Sequence, residues 1–246
     1  MQVSGNTILI TGGGSGIGAA LAHEWHEAGN KVIIAGRRQE ALDAVASAHP
    51  GMEARTVDMG DAASIRALAD GLLTDFPALN AVVHNAGVMV AEERIDLAIA
   101  EATVATNLLG PIRLTHALLP HLLAQPHASI VTVSSGLAFV PLVATPTYDG
   151  TKAAIHNWSI ALRAQLADTN VEVVEIVPPG VQTDLMPGHA DDARMMPLAD
   201  FIAETMSLIR QQPTPAEIQV ERVKFLSEAT KRGEFDQVFA ALNGGH

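Results

Sequence analysis

Short apolar runs alternate along the chain with segments of helical periodicity. Residues 7–11 (TILIT) form the first run, and a buried parallel strand has this character. Residues 19–28 follow with apolar Ala20, Leu21 and Trp25 at helical spacing, closed by Gly29 and Asn30 as a helix C-cap would be. Further strands are expected at 31–35, 53–57, 80–84, 129–133 and 171–177. Helices are expected at 38–48, 61–76, 95–124 and 148–168, with Gly110-Pro111 as a kink in the long one. Regular alternation with short connections predicts a parallel sheet covered by helices on both faces. The fold class read from the pattern is α/β, a Rossmann-type doubly wound three-layer sandwich of strand order 3-2-1-4-5-6. One domain over residues 1–246 is expected, since no linker, internal repeat or low-complexity segment interrupts it.

The last third reads differently. Residues 215–229 place Ile218, Val220, Val223, Phe225 and Leu226 among charges in a helical pattern. A helical C-terminal segment over 215–243 is therefore expected, and no seventh strand. Residues 184–205 are rich in Met, Gly, Asp and Pro and read as a substrate lid.

Composition narrows the function. Hydrophobic residues are 48% of the 246, enough for a full core, yet no apolar run reaches the roughly 18 residues that span a bilayer. The chain has no cysteine, so neither disulfides nor thiolate chemistry enter. The start shows no basic, apolar leader, and the expected location is cytoplasmic. Fifteen basic against 27 acidic residues give a formal charge of −12, a poor match to nucleic acid or an anionic membrane. A small-molecule substrate is the expected partner.

The candidate chemistry gathers at the carboxyl ends of the strands, where doubly wound folds bind ligands. Thr11-Gly12-Gly13-Gly14-Ser15-Gly16-Ile17-Gly18 follows the first strand and opens the first helix. Glycines there let backbone N–H groups approach a pyrophosphate at the positive end of a helix. The fingerprint G-x-G-x-x-G/A fits Gly14, Gly16 and Ala19; the spacing Gly12-x-x-x-Gly16-x-Gly18 fits as well. The second strand ends in Gly36-Arg37-Arg38, where an enzyme for NAD would offer a carboxylate to the ribose. Arg37 and Arg38 suit a 2′-phosphate instead, so NADP(H) is the expected cofactor, with NAD(H) as the alternative. Asp58 ends the third strand, either as an acceptor for adenine or as a helix cap. Tyr148 and Lys152 lie one helical turn apart, and Ser135 lies thirteen residues before the tyrosine. An ammonium beside a phenol is expected to lower the phenol pKa and poise it for proton exchange.

Together these residues resemble the short-chain dehydrogenase/reductase (SDR) family. The likeness runs over about residues 6–184 and rests on Thr11–Gly18, Asn85-Ala86-Gly87, Asn107, Ser135, Tyr148/Lys152 and Pro179-Gly180. The stretches SGLAFVPLVATPTY, PTPAEIQVERVKFL and FDQVFAALN are similar to the DltE-like branch. The resemblance implies that Gly12, Ser15, Gly16, Ile17 and Gly18 hold the pyrophosphate. It implies that Asn85, Ala86 and Gly87 line the adenosine side and that Lys152 binds the nicotinamide ribose. Thr183 would contact the carboxamide, with Pro178, Gly180 and Val181 beside it. Tyr148 would be the general acid/base, Ser135 would orient the carbonyl, and Asn107 would hold a water in a proton relay.

Gly136, Leu137, Phe139, Met89 and Met186 are the expected substrate-pocket residues. The implied activity is hydride transfer between NADP(H) and a ketone, aldehyde or secondary alcohol. An NAD-dependent alcohol dehydrogenase and a non-catalytic NADP(H)-binding sensor are the competing readings. The sequence departs from the family at His84, where an Asn is usual, and at Asp149 beside the tyrosine. Without a seventh strand, a homodimer through the helices of Asn107 and Tyr148 is expected rather than a tetramer. His23-Glu24-Trp25-His26 falls one residue short of H-E-x-x-H, with no third ligand in sequence, and no metal is expected.

Overall fold

The apolar runs form the strands of one sheet, and residues 1–244 are described by the computed structural model. In chain order the strands are β1 (Thr7–Thr11), β2 (Lys31–Gly36), β3 (Glu53–Thr56), β4 (Leu79–His84), β5 (Ala128–Val133), β6 (Val171–Val177) and β7 (Glu217–Gln219). Their spatial order is β3-β2-β1-β4-β5-β6-β7, and all are parallel. The first six follow the expected doubly wound order.

The helices are α1 (Gly16–Glu27), α2 (Gln39–Ser47), α3 (Ala62–Asp75), α4 (Leu97–Val104), α5 (Gly110–Ala124), α6 (Pro146–Gln165), α7 (Leu198–Ile209), α8 (Lys224–Ser227) and α9 (Phe235–Asn243). Side chains alternate across a strand, so β1 feeds both faces of the sheet. Ile8 and Ile10 join Leu21 and Trp25 of α1 and Phe201 and Met206 of α7 in one core layer. Leu9 joins Leu72 of α3, Leu118 of α5 and Leu162 of α6 in the other. Removing Phe201, which is fully buried, would cost about 3–5 kcal/mol through lost transfer energy and a cavity.

The sequence expectation is corrected in three places. A seventh strand is present: Glu175, Ile176 and Val177 of β6 pair with Glu217, Ile218 and Gln219 of β7. Three residues of polar–apolar–polar alternation are too few to outweigh the helical spacing of Val220, Val223 and Leu226, which begins where β7 ends. The expected preference for a dimer over a tetramer rested on the absence of this strand, and the strand is present. The expected lid also shrinks. Residues 198–205 belong to α7, whose Phe201, Ile202, Thr205 and Met206 are buried in the core. What remains is a loop tied at its neck by Met196 N–H donating to Gly180 O at 2.7 Å and Gln182 N–H donating to Met196 O at 2.9 Å. Finally, the irregularity in the long helix lies before Gly110-Pro111. Ala105–Leu109 form a π-helical turn that runs directly into α5, so Pro111 lies two residues beyond it inside one continuous helix.

Candidate active site

The turn after β1 is shaped by close approach. A Cβ on Gly18 would lie 2.3 Å from Gly12 O, and one on Gly12 would lie 2.9 Å from Ala86 Cα. Gly12 and Gly16 have φ of +70° and +53°, the left-handed region that glycine enters most easily. Ser15 occupies the N-cap of α1 without bonding its side chain to the first turn, so that turn keeps its N–H donors for an anion. These features fit a pyrophosphate cradle. Asn85 closes it from β4: its Nδ2 donates to Thr11 O at 3.1 Å and to Gly12 O at 3.3 Å. Thr11 Oγ1 accepts from the N–H groups of Asn85 and Ala86, each at 3.1 Å.

At the end of β2, Arg37 and Arg38 are exposed, and Arg38 Nη2 donates to Ser15 Oγ at 3.3 Å. That bond sets a guanidinium against the glycine turn. Asp58 does not cap α3. Asp61 does, accepting from Ala63 and Ser64 N–H, each at 3.1 Å, while Asp58 Oδ1 accepts from Gly60 N–H at 2.8 Å. From the other side Thr183 reaches the cradle, since a Cβ on Gly16 would touch Thr183 Cγ2 at 3.3 Å. Pro178 and Val181 are buried beside it; Gly180 is exposed, with Met195 crowded over it.

Ser135, Tyr148, Lys152 and Asn107 are all buried at this edge of the sheet. Asn107 projects from the π-helical turn. It exchanges two 2.8 Å hydrogen bonds with the backbone of Val88 and donates to Thr151 Oγ1 at 3.3 Å. A Cβ on Gly87 would lie 3.5 Å from Asn107 Oδ1 and 3.8 Å from Lys152 Nζ, so the three residues meet. Lys152 Nζ donates to Val133 O at 2.8 Å and stands 5.5 Å from the centre of the Tyr148 ring. Ser135 Oγ accepts from Leu137 N–H at 3.1 Å.

Burial controls the protonation of the pair. It raises the Tyr148 phenol above its ordinary range; the Ser135 hydroxyl opposes this and the Asp149 carboxylate adds to it. Burial also lowers the Lys152 ammonium to about 8, against the opposing pull of Glu175. The expected lowering of the tyrosine by its neighbouring ammonium is thus outweighed by desolvation in this arrangement. Asp149 is itself pushed up to about 7 by burial, and it accepts from Leu142 N–H at 2.8 Å and Thr145 Oγ1 at 3.1 Å.

The expected pocket residues divide. A Cβ on Gly136 would meet Leu226 Cδ1 at 2.8 Å, and Leu137 packs with Val140, Leu226 and Val238 in a small C-terminal cluster. The Phe139 ring lies 4.6 Å from that of His156. Met89 and Met186 are half-buried. His84 is buried against Thr115, with Nε2 2.8 Å from Thr115 Oγ1, and burial lowers its imidazole to about 3. At the far end of α1, the His49 ring lies 4.9 Å from that of His23 and 5.4 Å from that of His26, and Glu27 rather than His26 joins His23 and His49 in one cluster.

Sequence reasoning missed Glu175 and His156. Glu175 is fully buried in β6, accepts from the Ser134 hydroxyl, and has both carboxylate oxygens 3.0 Å from His156 Nδ1. A signal was present: Glu175 continues the inward series Val171, Val173, so a carboxylate stands at a core position of the run VEVVEIV.

A fold of this order with these groups at the carboxyl edge defines a class, and the chain belongs to the short-chain dehydrogenase family: the family's model, described as short chain dehydrogenase, matches residues 6–193. That is a family of oxidoreductases. The chain is similar to an uncharacterized oxidoreductase, DltE of Bacillus subtilis, at 37% identity over 99% of this chain and 98% of that protein. Among solved structures it is similar to a short-chain dehydrogenase from Streptomyces avermitilis, with 27% identity, TM-score 0.81 and coverage of 96% of this chain and 94% of that one. It is also similar to a 3-ketoacyl-(acyl-carrier-protein) reductase from Brucella melitensis complexed with NADH. There the identity is 25%, the TM-score 0.78, and the coverage 87% of this chain and 94% of that one.

Proposed function

We propose that the protein is an NADP(H)-dependent oxidoreductase that interconverts ketones or aldehydes with the corresponding alcohols. The observation that carries this reading is the convergence of buried Ser135, Tyr148 and Lys152 beside the Gly12–Gly18 turn. NADP(H), when bound, supplies or accepts the hydride at the substrate carbon. The first-turn N–H groups of Gly16, Ile17 and Gly18 hold its pyrophosphate, and Arg37 and Arg38 pair with its 2′-phosphate. Asn85, Ala86 and Gly87 line the adenosine side, and Pro178, Gly180, Val181 and Thr183 line the nicotinamide side. Asp58 sits where the adenine ends.

The protein's own chemistry is a proton transfer. Tyr148 donates its phenolic proton to the developing alkoxide, and Ser135 orients and polarises the carbonyl. Burial keeps the phenol protonated, which is the form that donates in carbonyl reduction. Lys152 binds the ribose and its ammonium stabilises the phenolate left on Tyr148, and Asn107 anchors the relay that returns a proton from solvent to that phenolate. Met89, Met186 and the loop tied at Gly180 and Met196 flank the substrate. The methionines Met89 and Met186 offer apolar contact, which favours hydrophobic carbonyl compounds. A homodimer is proposed through the face of α4, α5 and α6 that exposes Leu109 and Ile160.

The test is turnover of a panel of ketones and aldehydes with NADPH and, separately, with NADH. Faster turnover with NADPH is expected; a clear preference for NADH overturns the assignment of Arg37 and Arg38.

A further inference from the structure

A carboxylate with no exposed surface is uncommon in a protein interior, because its desolvation must be offset by hydrogen bonds and opposite charge. Glu175 meets that requirement on β6. The Ser134 hydroxyl donates to it, and His156 Nδ1 lies 3.0 Å from each of its oxygens. Both partners lead to the candidate active site. Ser134 directly follows Val133, whose carbonyl holds Lys152 Nζ at 2.8 Å. His156 lies one turn beyond Lys152 on α6, as Lys152 lies one turn beyond Tyr148, so the three share one face.

We infer that Glu175 is a positioning residue for Lys152: a buried carboxylate, fixed by Ser134 and His156 under the Tyr148–Lys152–His156 face of α6, that supplies the countercharge to the lysine ammonium. This rests on the reading of Lys152 as the partner of Tyr148. The groups around the carboxylate support it. From α6 come Lys152, His156 and Arg163, and from β7 comes Glu217, which pairs with Glu175 in register. Arg163 is committed elsewhere, its Nε donating to Val173 O and its Nη2 to Ala216 O, each at 2.9 Å. Glu217 adds a second negative charge near His156 and raises it further. Burial lowers Lys152 to about 8, and the Glu175 charge opposes that lowering.

The consequence is directional. Without the carboxylate, the buried ammonium loses its proton at lower pH. As pH rises and the His156 imidazole, which Glu175 raises, becomes neutral, the Glu175 charge is no longer offset by His156 and acts more fully on Lys152. The device therefore acts most strongly at the alkaline side, where Lys152 is about to lose its proton.

The test reads the lysine directly. The chain has four lysines, Lys31, Lys152, Lys224 and Lys231, so carbon-13 labelling at the lysine Cε gives few resonances, and Lys152→Arg assigns the one required. In Glu175→Gln, with folding checked by circular dichroism, the Lys152 midpoint is expected to fall by about one pH unit or more. The alkaline limb of the carbonyl-reduction profile should move with it, while NADPH affinity at about pH 6, where Lys152 is protonated in both proteins, stays within about twofold. A folded Glu175→Gln protein whose Lys152 midpoint lies within about 0.3 units of wild type overturns the assignment. If that variant does not fold, Glu175→Asp carries the test: it withdraws the charge by one methylene, and a smaller fall is expected where no change is contradictory. The titration needs no turnover. A wild type that reduces no carbonyl defeats the enzymatic reading, and the midpoint still decides the role of Glu175.

Discussion

Tyr148 holds its proton because it is buried, and Lys152 is poised near neutrality for the same reason. At the scale of the residue this produces two expectations. Carbonyl reduction should decline above about pH 8, as Lys152 loses the proton that keeps it an ammonium; a profile flat to pH 10 would contradict it. The sign follows from a lysine whose value is lowered from 10.5: the charged form survives below about 8 and is lost above it. Arg38 touches Ser15 at the mouth of the glycine turn. Arg38→Ala should weaken NADPH binding about tenfold or more, as expected for a lost charge-assisted contact, and leave NADH binding nearly unchanged. Titration of each nucleotide by nicotinamide fluorescence measures both.

At the scale of the element, the site depends on irregularities that the strands and helices make room for. Gly18 lies so close to Gly12 O that Gly18→Ala must displace the turn or the start of α1. Dinucleotide binding is expected to be lost, and calorimetric titration with NADPH would reveal it; tight binding by Gly18→Ala would mean that the turn is not the cradle. The π-helical turn does similar work for Asn107, aiming its amide at Val88 and Thr151. The alternating runs made the sheet order legible, because period-2 and period-3.6 patterns are set by local burial. The glycine turn was legible because its spacing answers to backbone sterics. What was not legible depends on contacts distant in sequence. β7 is three residues long and is defined by its pairing with β6. The π-helical turn has no composition of its own. Glu175 becomes part of the site only when α6 brings His156 over it. The packing of Gly136 and Leu137 was not legible either, because the segment that covers them lies some ninety residues later.

At the scale of the whole molecule, two cores enclose one sheet, and the polar groups they bury set how stability varies with pH. His84 is buried and neutral, with its imidazole lowered from 6.5 to about 3. A histidine depressed in the folded state stabilises fully above 6.5, and that contribution is lost as pH falls from 6.5 toward 3, where the unfolded chain takes up the proton first. Urea unfolding at pH 7 and pH 4.5 should therefore show a smaller loss for His84→Asn than for the wild type. The variant itself costs about 1 kcal/mol at pH 7 for the lost bond to Thr115. Equal losses in the two proteins would place the acid sensitivity elsewhere. Assembly is tested on the same scale. Ile160 is 43% exposed on α6, and Ile160→Asp should convert a dimer to a monomer in light scattering. A dimer that survives the change uses another face.

The proton on Tyr148 is the centre of the account, and one comparison reaches it most directly: oxidation of NADPH in the presence of a carbonyl panel, followed by nicotinamide absorbance, for wild type and Tyr148→Phe. The account predicts measurable turnover by the wild type and a loss of about 100- to 10,000-fold in the variant, with NADPH binding retained within a few-fold. Turnover by Tyr148→Phe at the wild-type rate would contradict it.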